Sequence, residues 1–349
     1  MVKLRLRRAG LPIAVSAVVA AVAVAGTIIA NGTAGAGTTV RSDPRAVAIQ
    51  QAAADARKHA VPKPATEARP RAALAATNER AFGDLTGDGK ADLAAVDSSG
   101  TMWVYPGRQY RWDGQGTRSK TLFSPRIQVG KGWGKFTSLV RHGDLNSDGR
   151  QDVVVRNAQG QLFLYPGTGN PAAMLGKAIL IGTGWGSFTS ITSPGDLNTD
   201  GEDDLIGQKS NGELMLYTGS GRPTPTFGRG RVIGTGWNGS LLTAIGDWTY
   251  DERTEFFFRN NPGYVRNYES RSGELPIGKS EKVLDPADGN FLINMVGMGD
   301  LTSDVDFEPI PDVLMQGKDG SLVLYTWDWA PASPEATKIS TGWATYRIF

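Results

Sequence analysis

The sequence predicts an all-β protein, a five-bladed β-propeller of four-stranded antiparallel blades over residues 79–349, closed by the C-terminal segment and preceded by an N-terminal signal and tether. Three observations carry this expectation. An acidic motif headed by Gly-Asp recurs five times, with its leading aspartates separated by 60, 52, 51 and 53 residues, and self-similarity at such a period marks a repeat architecture. Between copies, short apolar or alternating runs are punctuated by Gly turns, the pattern of strands joined by tight connections. Finally, the chain ends on the opening part of a unit, and the first unit lacks that same part.

At the N-terminus, Lys3, Arg5, Arg7 and Arg8 precede an apolar run from Leu11 to Ala30, followed by small residues through Ala36. This is the make-up of an export signal. The run of 20 residues also suffices to span a bilayer. Residues 1–36 are therefore read as a signal peptide or an N-terminal anchor, and an uncleaved anchor is the one route to membrane contact. Residues 37–78, rich in Ala, Pro and Arg and containing Val61-Pro62-Lys63-Pro64, read as a flexible linker with room for one short Ala-rich helix at 46–58.

Composition narrows the chemistry. Gly contributes 45 of 349 residues, about 13%, nearly twice the usual ~7%, which suits a chain with many turns. With no Cys and only His59 and His142, thiolate metal sites, disulfides, Cys nucleophiles and paired-histidine mechanisms are excluded. Residues 1–78 carry 11 Lys and Arg against 3 Asp and Glu, leaving 26 against 32 for 79–349. A net acidic main region argues against nucleic-acid binding, which draws most of its affinity from basic surface.

The repeats begin GDLTGDGKADLAAV at Gly83, GDLNSDGRQDVVVR at Gly143, GDLNTDGEDDLIGQ at Gly195, GDWTYDERTEFFFR at Gly246 and GDLTSDVDFEPIPDVLM at Gly299. After each acidic loop come a short run such as Asp152–Val155, a Gly turn, an alternating run such as Gln161–Tyr165, and an apolar stretch leading to Gly-Trp. About four strands in ~50 residues matches one propeller blade. The last residues, Gly342 to Phe349, align with Gly132 to Leu139. Joining the ends would remove two exposed sheet edges; an open array of five units is the alternative.

In the third loop, Asp196, Asn198, Asp200 and Asp204 fall at positions 1, 3, 5 and 9, with Gly201 after position 5. Alternating oxygen donors on a sharply turning loop suit Ca²⁺, which takes six to eight oxygens in flexible geometry. Any single copy reads equally well as a turn, but the five loops concentrate 20 of the 32 acidic residues of 79–349. Carboxylates so close would repel one another without a cation. The fourth and fifth loops depart from the pattern. Glu252 and Val305 replace the turn Gly, and the fifth loop is longer, which leaves Asp247, Asp251 and Glu255, and Asp300, Asp304 and Asp312, as weaker sets.

The pattern Asp-x-Asn/Thr-x-Asp-Gly-x-x-Asp followed by a short aliphatic strand resembles the FG-GAP/VCBS repeat family, known from integrin α-subunit propellers and secreted bacterial proteins. The Ala-rich signal and the Gly-Trp-Gly-x-Phe-Thr-Ser segment look like exported actinobacterial proteins. The resemblance implies a loop between the first two strands of each blade with side chains on Ca²⁺. The implied ligands are Asp84, Thr86, Asp88 and Asp92; Asp144, Asn146, Asp148 and Asp152; and Asp196, Asn198, Asp200 and Asp204. Thr86 is the poorest donor of the set.

Trp133, Trp185, Trp237 and Trp343 recur after Gly, as do Tyr105, Tyr165, Tyr217, Tyr268 and Tyr325 at their own position. They read first as wedges packed between blades. The other reading is exposed Gly-Trp turns that stack on sugar, since five-bladed lectins of the tachylectin type are similar in this short element. Trp112, Trp327 and Trp329 fall outside the repeat and are candidates for a unique surface or for covering a blade edge. His142 is the one His in the repeats and no Gly-x-Ser-x-Gly elbow occurs, so no catalytic set is expected. The reading is an exported, monomeric, calcium-binding, non-catalytic module for extracellular glycan or protein. A polysaccharide hydrolase or lyase with a carboxylate pair from different blades, or a structural envelope protein without a small ligand, is the alternative.

Overall fold

A computed structural model describes residues 82–108, 122–141, 143–249, 253–269, 280–285, 289–299, 301, 311–327 and 334–349. These belong to one of two units into which the chain divides, Arg69–Phe349. The signal, the linker and its helix at 46–58 lie outside the described residues, as do His142, Trp112 and Trp329.

Apolar and β-branched runs too short for helices form twenty strands among the described residues. In chain order they are β1 (Leu93–Val96), β2 (Met102–Tyr105), β3 (Ile127–Gly130), β4 (Ser138–Val140), β5 (Val153–Arg156), β6 (Leu162–Tyr165), β7 (Ile179–Gly182), β8 (Phe188–Gly195), β9 (Asp204–Lys209) and β10 (Leu214–Tyr217). They continue with β11 (Arg231–Gly234), β12 (Gly239–Gly246), β13 (Glu255–Asn260), β14 (Val265–Glu269), β15 (Ser280–Leu284), β16 (Leu292–Gly297), β17 (Val313–Gly317), β18 (Leu322–Thr326), β19 (Glu335–Ser340) and β20 (Arg347–Ile348). Second strands such as β1 and β5 are buried along their apolar length, as strands covered on both faces must be. Third strands such as β6 alternate, with Leu162 and Leu164 buried and Phe163 and Tyr165 half-buried, the period of two of a pleated strand.

The strands form five four-stranded sheets, ordered β20-β1-β2-β3, β4-β5-β6-β7, β8-β9-β10-β11, β12-β13-β14-β15 and β16-β17-β18-β19. These are blades I to V. Blade I takes its first strand from the C-terminus: Ala95 pairs with Ile348 and Val96 with Arg347, and Phe349 and Ala94 exchange both backbone hydrogen bonds at 2.9 and 3.3 Å. The sequence-end complementarity is thus a real strand pairing.

Five buried clusters fill the seams. Val154, Leu162 and Leu164 of blade II meet Ile191, Leu205 and Met215 of blade III, and equivalent clusters join I to II, III to IV, IV to V and V back to I. A seam between V and I closes the ring and excludes the open array. Near the axis Arg141 is buried and donates to Gly83 O at 3.0 Å and Gly297 O at 2.7 Å, so one guanidinium ties blade II to blades I and V.

Candidate functional site

In blades II to V each acidic loop joins the first strand to the second; in blade I it leads into β1. The leucine or tryptophan at the second loop position, Leu85, Leu145, Leu197, Trp248 or Leu301, is buried in a seam. That anchor fixes where the polar part of the loop begins.

The acids divide into three structural jobs. Position 1 curls the loop: Asp84 accepts N–H bonds from Gly87 at 2.6 Å and Gly89 at 2.7 Å, Asp144 from Asp148 at 2.9 Å and Gly149 at 2.7 Å, and Asp196 from Asp200 at 3.0 Å and Gly201 at 2.6 Å. Position 5, held by Asp88, Asp148 and Asp200, stays exposed and accepts the N–H two residues on at 3.0 Å. Position 9 is a buried backbone clamp. Asp204 takes the Leu197 and Asn198 N–H groups on one oxygen, at 3.1 and 3.3 Å, and the Gly219 N–H on the other, at 3.0 Å. Asp92 repeats this with Leu85, Thr86 and Gly107, and Asp152 with Leu145 and Gly167. A Cβ on Gly107, Gly167 or Gly219 would lie 2.0–2.1 Å from the backbone carbonyl oxygen of the residue before the clamp, so the turn approaches this closely only with glycine.

The geometry of the first loop fits calcium. Asp84, Asp88 and Asp92 each bring one carboxylate oxygen within 4.8 Å of the others. Oxygens about 2.3–2.6 Å from one Ca²⁺ can lie up to roughly 5 Å apart. In the second and third loops the Asn146 and Asn198 amide N–H groups donate to Asp148 at 3.1 Å and Asp200 at 2.9 Å, so coordination by these two asparagines requires the amide to turn its oxygen inward. At position 4 Gly87 has φ 77°, while Ser147 and Thr199 hold the same left-handed conformation at 54° and 63°. That is an unfavourable place for a β-branched residue.

Charge crowding is felt at the clamp. Burial pushes Asp92 up to about 6 and Asp152 and Asp204 up to about 8, with hydrogen bonds from the glycine turns opposing it and the neighbouring loop carboxylates adding to it. Burial likewise raises Asp144 and Asp196. A divalent cation would hold these groups ionised.

The two departing loops keep the loop side of the clamp. Glu255 is buried and accepts the Trp248 and Thr249 N–H groups at 2.7 and 3.0 Å, and buried Asp312 accepts Leu301 N–H at 2.9 Å. Asp247 is also buried. Asp251, Asp300 and Asp304 lie outside the described residues.

Of the Gly-Trp residues, Trp133, Trp185 and Trp237 are 7%, 5% and 9% exposed, which is the packing reading. Trp185 lies 4.4 Å from Tyr217, Trp237 4.4 Å from Tyr268 and Trp133 4.9 Å from Tyr165, between ring centroids. Trp343 is half-buried and 5.0 Å from Tyr105. Rings so enclosed offer no open face for a sugar to stack on. Trp327, a candidate for a unique surface, is buried 5.7 Å from Trp248 in the seam between blades IV and V.

One recurring set of residues lies outside the acidic motif. Arg156, Gln208, Arg259 and Gln316 each follow the clamp acid by four positions and cap carbonyls at the entry to the next blade; Gln208 donates to Trp237 O at 2.6 Å and Gln316 to Trp343 O at 2.6 Å. Blade I has Val96 there, and Arg347 on the adjacent β20 reaches Phe136 O and Trp133 O instead. The signal was visible as a lone polar residue recurring in an otherwise apolar strand.

Residues 144–207, spanning the second and third loops, match the family model described as FG-GAP-like repeat. No curated protein matches the chain in sequence. Among solved structures, the crystal structure of AofleA from Arthrobotrys oligospora is similar at 9% identity and TM-score 0.39, covering 75% of this chain and 72% of that one. BBS1N in complex with ARL6DN is similar at 12% identity and TM-score 0.37, covering 73% and 79%. Likeness at this level says nothing of ligand or activity.

Proposed function

We propose that this chain, a five-bladed propeller of FG-GAP-like repeats, is an exported binding or adhesion module whose loops take Ca²⁺ and whose partner is extracellular glycan or protein. The observation that supports it best is the convergence of Asp84, Asp88 and Asp92 within 4.8 Å, on a loop pattern repeated in the next two blades. Bound calcium would supply positive charge that offsets the crowded carboxylates.

The chain's own residues do the rest. The position-9 acids hold the first three loops against the neighbouring glycine turn, the position-1 acids keep them curled, and the exposed position-5 acids, now bonded to Lys90, Asn146 and Asn198, would exchange those partners for the ion. Asn146 and Asn198 would complete the second and third sets through their amide oxygens, and Thr86 the first. Export is supported by the basic, apolar and small-residue order of residues 1–36.

A glycan array and a panel of extracellular matrix proteins, each probed with the mature protein in millimolar calcium and again in EDTA, tests the reading. Retention on one of these surfaces that weakens in EDTA is the expected result. Release of soluble sugar from an envelope or plant polysaccharide would instead show an enzyme.

A further inference from the structure

We infer that the first three acidic loops take up calcium as one coupled unit, with Gln151 and Asp203 passing the occupancy of each loop to the loop of the preceding blade, an inference that rests on the calcium reading proposed above. The starting observation is position 8, the residue just before the clamp acid: Ala91, Gln151, Asp203, Thr254 and Pro311 in blades I to V. In blades II and III its side chain reaches out of its own loop and accepts hydrogen bonds from the loop before.

Buried Gln151 takes the Gly83 and Gly143 N–H groups on its one amide oxygen, both at 3.2 Å. These glycines precede Asp84 and Asp144, the first acids of their loops, so a single side chain sets the entry of two loops. Asp203 accepts the Asp144 N–H at 2.5 Å, and beside it Glu202 accepts the Ser147 hydroxyl at 2.6 Å. The third loop thus grips the second at positions 1 and 4, on either side of its left-handed turn at Ser147. The side chains of Gln151, Glu202 and Asp203 lie outside the implied ligand sets, which leaves them able to hold the neighbouring loop with an ion bound.

The ties stop where the calcium pattern stops. Thr254 turns its methyl toward the third loop: a Cβ on Gly195 would lie 2.8 Å from Thr254 Cγ2 and 3.7 Å from its Oγ1, and that buried oxygen has no partner among the described residues. Pro311 and Ala91 have no side-chain acceptor. Position 8 therefore joins loop to loop only among the three loops that keep a glycine after position 5, Gly89, Gly149 and Gly201.

The coupling has a sign. An ion on the third loop fixes the segment 196–204 and with it the acceptors that hold Asp144 and Ser147. The second loop then loses less conformational freedom on binding its own ion, which is positive coupling. Cations on neighbouring loops also repel, and the Glu202 and Asp203 carboxylates at the contact between the loops offset that repulsion. Gln151 relays the same effect from the second loop to the first.

The test follows a calcium titration of the mature chain by NMR through the backbone amides of Gly89, Gly149 and Gly201, each of which donates to the first acid of its own loop. Asp200→Ala, which removes an exposed ligand of the third loop, is expected to raise the calcium concentration at the Gly149 midpoint about fivefold or more, and Asp148→Ala to raise the Gly201 midpoint by the same factor, because coupling is reciprocal. Asp203→Ala keeps every ligand and should itself raise the Gly149 midpoint; in that background Asp200→Ala should move Gly149 less than about twofold. Ser147→Ala, at an exposed contact, should at least halve the coupling factor, and it keeps the test decisive if Asp203→Ala folds poorly. Amides that respond to calcium but move only with variants of their own loop would overturn the coupling and leave the calcium reading standing. No calcium response at any of the three overturns both.

Discussion

Asn267 occupies the third-strand position filled by Val104, Leu164, Leu216 and Leu324 in the other blades, and like them it is buried. Neither its amide oxygen nor its nitrogen has a hydrogen-bond partner among the described residues, and an unpaired buried amide costs about 1–3 kcal/mol. Asn267→Leu is therefore expected to raise stability by about that amount, read as a higher urea midpoint with unchanged slope. The acidic loops call for a paired test at the same scale. Asp204→Ala removes a buried acceptor of three backbone N–H groups and should cost about 3 kcal/mol or more even in EDTA. Asp200→Ala, exposed and outside the clamp, should leave EDTA stability within about 0.5 kcal/mol but reduce the rise in melting temperature on adding calcium. Equal behaviour of the two variants in both buffers would refute the division of labour among loop acids.

Among the elements, β20 has a role out of proportion to its two residues. It supplies the first strand of blade I, and Arg347 on it caps the Trp133 and Phe136 carbonyls in place of the arginine or glutamine found elsewhere. Removing Trp343–Phe349 deletes this strand, buried Ile348 and Phe349, and Trp343 against Tyr105. Large side chains are worth roughly 1.5–3 kcal/mol each on burial, and an unpaired edge invites association. The truncated chain should melt far lower and self-associate in size-exclusion chromatography, while deletion of 37–70 should leave the melting temperature unchanged. Arg347→Ala, which keeps the strand pairing, should fall between the two.

For the whole molecule, the raised carboxyls translate into a pH dependence with a definite sign. An aspartate at 3.8 in the unfolded chain and about 8 in the folded one, as burial makes Asp152 and Asp204, holds its proton longer when folded. The unfolded state then binds fewer protons between these values, so stability falls as pH rises through that window. In EDTA the melting temperature is expected to drop between pH 5 and pH 8. Calcium must displace those protons to bind, so its stabilising effect should grow over the same range and flatten or reverse the slope. Calorimetry at pH 5, 6.5 and 8, with and without millimolar calcium, reads both effects; a melting temperature indifferent to calcium at every pH would remove the metal reading.

Repetition is what made so much legible in the sequence. Five Gly-Asp motifs at a nearly constant spacing require one local structure used five times, and a terminal fragment matching a missing opening points to ends that meet, so blade number follows without coordinates, whereas closure over an open array was decided by the pairing and packing of blade V against blade I. The same alignment located the acidic loops, because ligand chemistry is written in residue type and local spacing. Tertiary packing decided what local spacing leaves out. Whether Trp185 faces solvent or Tyr217 depends on how far apart two blades stand, and the buried position of Asp204 gives an expected ligand a second task as a backbone clamp for a turn 15 residues away. Arg347 replaces a missing seam residue, and Gln151 joins the first loop to the second, for the same reason: each effect arises between blades, where residues distant in sequence must share one space.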